Sequence, residues 1–151
     1  MKLQLVAVLA ALGTLASLPA AAQFQKPEDA VKYRKASFQV MALHFGRVGA
    51  MASGKVPFDA AAAASNAEIA AYMSKLPYAG FVEGTSGTEK GQPKANVWTE
   101  RAKFDEGAKK MQDEMVKLAA AAKTGNADQV KAAFGNTAST CKNCHDNFRV
   151  Q

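Results

Sequence analysis

Cys141, Cys144 and His145 stand together in the run Cys141-Lys142-Asn143-Cys144-His145, which holds both cysteines and one of the two histidines of the 151-residue chain. Thiols three apart on a helix share one face. They are then placed to bond the two vinyl groups of a single haem, and the adjoining histidine comes under the ring with an imidazole nitrogen for the iron. The pair has two other chemical readings. A thioredoxin-like redox pair needs a βαβ setting, and the residues around this motif read as helix. A zinc site could use Cys141, Cys144 and His145 but needs a fourth ligand, and the spacing does not recommend His44, the only other histidine. A disulfide across so short a loop would constrain little of the unfolded chain. The motif therefore predicts one covalently bound haem c, with His145 as the metal ligand.

The elements that must position this site read as helices. Pro27-Glu28-Asp29 opens the first, with proline suited to the first turn and acids to the positive end of the helix dipole. Val31, Arg34, Phe38, Met41, Phe45 and Val48 then recur at steps of three and four, a core-facing stripe in which Arg34 is the one charge. Asp59 is a predicted N-cap for a second, alanine-rich helix that Pro77 is expected to end. Tyr78 to Ala95, with Gly80, Gly84, Gly87, Gly91 and Pro93, reads as a long loop. A third helix, capped by Asn96, carries Val97, Arg101, Phe104, Ala108, Met111, Met115, Leu118 and Ala122 up to Gly125; a fourth runs from about Ala127 through the motif. With no strand-like alternation of useful length, the fold class is all-α: an antiparallel four-helix bundle with a long loop between helices 2 and 3.

Residues 1–22 read as a signal peptide. Met1-Lys2 is a weakly basic start, Leu3 to Leu18 is apolar and uncharged, and Ala20-Ala21-Ala22 follows Pro19 as a small-residue cleavage site. The apolar run is shorter than the roughly 20 residues a membrane span needs. Cleavage after Ala22 leaves 23–151 as one domain and implies a periplasmic protein, with no membrane partner after processing. The formal net charge of +6 is scattered among acids, with no basic block interleaved with aromatics, so nucleic acid is not an expected partner.

A leader, four helices and a C-terminal Cys-x-x-Cys-His resemble cytochrome c′, the four-helix class of c-type cytochromes, along essentially all of 23–151. Only six residues follow His145, so any sixth iron ligand is expected upstream. In that family the first helix crosses the open haem face and an apolar side chain fills the place of the sixth ligand. Phe38 matches that place, which implies five-coordinate, high-spin iron open to small diatomic gases (nitric oxide and carbon monoxide), with nitric oxide binding or protection as the role. The resemblance also places Arg34 beside a haem propionate and Arg149 near the proximal histidine. On the residues alone, Phe38 reads equally as core, Arg34 as a packed stem with a solvated head, and Arg149 as a cation at a helix C-terminus. The competing reading is a low-spin electron carrier with Met41 as sixth ligand and a separate redox partner. No acid–base constellation accompanies the stripe, so no enzyme is expected. Phe81, Trp98, Phe104 and Phe134 are haem-wall candidates, and the family implies a homodimer.

Overall fold

A computed structural model describes residues 23–151; the leader expected at 1–22 lies outside the described residues. Four long helices carry the fold: α1 (Pro27–Ala52), α2 (Ala60–Met73), α4 (Arg101–Lys123) and α5 (Ala127–Phe148), with α3 (Asn96–Thr99) a single turn before α4. The described residues form no strand. The packing runs α1 on α2, α2 on α4, α4 on α5 and α5 back on α1, which closes the bundle.

Local chemistry sets the ends of these helices. Asp59 caps α2 by accepting from the Ala62 amide, and Asn126 caps α5 by accepting from the Gln129 amide. Each releases an otherwise unpaired amide from competition with water. Between α4 and α5, Gly125 takes a φ of 69°, the left-handed turn that glycine adopts without strain. The core is built from the expected stripes. Met41 and Val48 of α1, alanines 63, 67 and 70 of α2, Met111, Met115 and Leu118 of α4, and Val130 of α5 form one buried cluster. The alanines of α2 let its backbone approach its neighbours closely, while methionine and leucine fill the remaining space.

Two boundaries differ from the sequence expectation. α2 ends at Met73, not at Pro77: Ser74 caps it through its hydroxyl bond to Ala71 O, and Pro77 instead opens a 3-10 turn, Pro77–Gly80. This turn lies directly on α1, where a Cβ on Gly80 would come within 2.5 Å of Ala30 O. Asn96 does not cap the third helix. It begins α3, and its side-chain amide donates to Asn147 O at 3.2 Å. Glu100, at φ −117° and ψ 41°, then breaks the helix before α4, so that Val97 turns inward onto Phe104 and Phe148. α5 runs from Ala127 to Phe148, as expected, and the Arg149 that follows is extended, because the long loop pairs with the tail. Pro93 bridges Arg149, the Gly91 amide donates to Val150 O at 2.8 Å, and the Val150 amide donates to Gln92 O at 2.9 Å.

Candidate haem site

Between α1 and α5 opens a cavity of about 560 Å³, floored by α4 and roofed by the long loop. Its lining brings together Arg34, Phe38, Cys141, Cys144, His145 and Arg149. All six residues singled out in the sequence therefore face one space, although Arg34 and Arg149 are 115 positions apart. Met41 also lines the cavity, whereas His44 does not. His44 instead pairs with Asn66 of α2, Nδ1 to Oδ1 at 2.8 Å, so it is tied to the far side of α1. Phe81 and Phe104 are wall residues, as expected; Trp98 and Phe134 are not. Phe134 stacks on Phe45 at 4.4 Å, where α1 and α5 meet.

The α1 side of the cavity is aromatic. The Phe38 ring meets Tyr78 edge-on at 6.1 Å and Phe81 edge-on at 6.2 Å, and Tyr78 in turn packs on Phe104 at 5.8 Å. Tyr78 was missed in the sequence, where it reads as the first residue of a loop; the proline before it is the only local signal that the chain turns inward there. Burial pushes its phenol above the ordinary tyrosine range, with the neighbouring Cys144 and Cys141 adding to the effect.

On the opposite wall the two thiols are free and partly buried. Burial raises the pKa of Cys141, against a smaller opposing effect of a Thr140 hydrogen bond, and burial together with Cys141 raises that of Cys144. Burial lowers the His145 pKa, helped by Arg149 and opposed by Asp146, so neutral imidazole with a free lone pair is favoured. Among the described residues, no group of three or more histidine, cysteine, aspartate or glutamate side chains is close enough to hold a metal ion. A zinc site would need such a group.

Arg34 is 5% exposed, and no carboxylate pairs with it among the described residues. It donates from Nη1 to Gly80 O at 3.1 Å and to Thr85 Oγ1 at 2.6 Å, and from Nη2 to Thr85 O at 2.7 Å. Its guanidinium also lies 4.9 Å from the centre of the Phe81 ring. Burial lowers its pKa. A cation held this way by neutral acceptors alone is costly unless an anion completes it. An apolar slot with two thiols and an imidazole on one wall, and an anion-seeking guanidinium at its edge, fits a c-type haem with carboxylate substituents.

The family signature Cytochrome C' matches residues 29–149. The chain belongs to the cytochrome c′ family. It is 48% identical over 127 residues to cytochrome c′ of Rubrivivax gelatinosus, covering 84% of this chain and 98% of that protein. A crystal structure of the Rubrivivax protein superposes with a TM-score of 0.78, over 84% of this chain and 99% of that one. Cytochrome c prime from Alcaligenes xylosoxidans, solved as the nitric oxide complex of a mutant, is 43% identical with a TM-score of 0.78, over 85% of this chain and 98% of that one. The cytochrome c′ family thus accounts for the all-helical bundle and for a c-type haem as the cofactor of this chain.

Proposed function

We propose that this cytochrome c′ is a periplasmic protein whose single haem, bound covalently through Cys141 and Cys144 and ligated by His145, takes small diatomic gases on the Phe38 side. The observation that carries this reading is the position of Phe38. It comes from the helix opposite Cys141 and His145, and it closes that side of the cavity with a ring that has no atom able to bind iron. When bound, the haem would supply an iron centre able to take a small diatomic gas. The chain's own residues then sort what reaches it. Phe38, Tyr78 and Phe81 make an apolar gate that excludes water and bulky or charged molecules, and a small neutral gas enters when Phe38 swings aside. His145, whose partial burial and neighbouring Arg149 favour the neutral imidazole, would ligate the iron from the α5 side. Arg34 and Arg149 supply positive charge at the rim. Nitric oxide is the favoured physiological ligand, in line with the nitric oxide complex of the Alcaligenes protein. Binding or scavenging, rather than turnover, is the role, because the gate offers no base to move a proton.

Met41 lines the same cavity and is the specific observation behind the second reading, a low-spin electron carrier. It is 8% exposed and packs into the bundle core with Met111 and Met115, a setting that favours packing over ligation. Adding nitric oxide or carbon monoxide to the ferrous protein tests the proposal: a stoichiometric change in the haem absorption bands supports it, and no change overturns it.

We also assign a homodimer contact to the outer face of α1 and α2. Leu43 is 55% exposed and Tyr72 68% exposed, with Val40 and Ile69 one turn away on the same helices. The His44–Asn66 bond couples the two helices beside this patch. Sedimentation should show a dimer that Leu43→Glu with Tyr72→Glu converts to monomer; a monomeric parent, or an unaffected dimer, would refute the assignment.

A further inference from the structure

Thr85 lies in the long loop, 51 residues from Arg34 in sequence, yet it is 7% exposed and takes two of the guanidinium's hydrogen bonds. Its hydroxyl both donates and accepts: Oγ1 accepts from Arg34 Nη1 at 2.6 Å and donates to Val82 O at 2.7 Å. The second bond fixes the direction of the first, because a hydroxyl whose hydrogen is held by Val82 O turns its lone pairs toward Arg34.

A guanidinium has five N–H groups. Both hydrogens of Nη1 are engaged, one by Gly80 O and one by Thr85 Oγ1, and one hydrogen of Nη2 goes to Thr85 O. Because one residue takes a hydrogen from each terminal nitrogen, Thr85 occupies the end-on edge of the fork. That leaves Nε–H and the second Nη2–H, which lie parallel along the side-on edge. Among the described residues nothing accepts from either, and Arg34 lines the cavity. Two parallel N–H groups on one edge match the two oxygens of a single carboxylate.

We propose that Thr85 is a positioning residue: it loads the end-on edge of Arg34 and so presents the side-on edge as a two-point clamp for one carboxylate of the cofactor. This inference rests on the haem reading and goes beyond it by naming what aims the arginine. Without the Thr85 hydroxyl, Arg34 keeps its bonds to Gly80 O and Thr85 O but loses one of the two bonds along its end-on edge, so the side-on pair is aimed less firmly at the carboxylate. Lysine in place of Arg34 offers a point charge and no second parallel hydrogen. The device also explains why Thr85 is buried between the exposed Gly84 and Ser86.

The test is the reduction potential of the haem-loaded protein as a function of pH, in the parent and in the Thr85→Val, Thr85→Ser and Arg34→Gln variants. Ionisation of a carboxylate beside the iron stabilises the ferric state, so the potential steps down as pH rises through that carboxylate's pKa. A clamped carboxylate ionises at low pH, and a released one ionises higher. Thr85→Val keeps the side-chain shape and removes the acceptor. It is expected to move the step upward, toward the position seen in Arg34→Gln and by at least a threefold change in proton affinity, while Thr85→Ser restores the parent profile. Thr85→Ala serves if the valine variant does not fold, with helix content by circular dichroism as the check. A step that Arg34→Gln moves and Thr85→Val leaves in place overturns the positioning role and keeps the clamp. A step that neither moves shows that Arg34 holds no carboxylate, and the pairing beneath the inference falls with it.

Discussion

Replacing Phe38 by alanine tests the gate quantitatively. In the structure the ring is held by two edge-on aromatic contacts, to Tyr78 at 6.1 Å and 79° and to Phe81 at 6.2 Å and 81°. Each contact of this kind contributes about 0.5–1.5 kcal/mol beyond area burial. If Phe38 must leave both partners to admit a gas, its displacement adds about 1–3 kcal/mol to the barrier for entry. At 1.4 kcal/mol per factor of ten, removing the ring should accelerate carbon monoxide association with the ferrous protein by roughly 5- to 150-fold. Flash photolysis of the carbon monoxide adduct gives that rate directly. Because Phe38 is only partly buried, the variant should lose about 3 kcal/mol of stability or less, short of unfolding, which urea denaturation checks. A folded Phe38→Ala protein with an association rate within twofold of the parent would refute the gate.

Two further tests address neighbouring features. Gly46 has nothing within 4 Å of where a Cβ would sit and lies inside α1, so Gly46→Ala should stabilise by about 0.5–1 kcal/mol. Gly91 has a φ of 86°, and an added Cβ would press on Arg149 Nη2 at 3.3 Å, so Gly91→Ala should destabilise by roughly 1–2 kcal/mol and displace Arg149; urea midpoints of opposite shift are the expected outcome. The raised Tyr78 pKa makes a pH prediction. Its folded-state pKa exceeds the unfolded value of about 10, so its contribution is complete below that pH and declines as pH rises further. Urea midpoints of the parent should fall from about pH 9.5 to about pH 11, around the ordinary tyrosine pKa, and fall less steeply in Tyr78→Phe; identical declines would refute the assignment.

The helices and the cofactor motif were legible in the sequence because each rests on local or periodic signals. Pro27, Asp59 and the three-four stripes act within a turn or two of their own positions, and Cys141, Cys144 and His145 are adjacent. Tyr78, Thr85 and the extended Arg149 were not legible, because each owes its place to a partner far along the chain. Thr85 is buried by Arg34, and Arg149 leaves α5 because Pro93 and Gln92 of the loop pair with the tail. The break at Glu100 has the same origin: helix propensity would continue α3 into α4, and the burial of Val97 against Phe148 prevails. Arg34 lies between these cases. Its misplaced charge on an apolar stripe was visible, whereas the finding that no carboxylate among the described residues pairs with it, which points to the cofactor, needed the structure.

The most direct test of the central claim is the electron paramagnetic resonance spectrum of the ferric, haem-loaded protein, recorded alongside its optical spectrum. A high-spin, five-coordinate signature means that Phe38 leaves the sixth position open, and this is the expected result. A low-spin, six-coordinate signature that disappears in Met41→Ala would contradict it and make the protein an electron carrier.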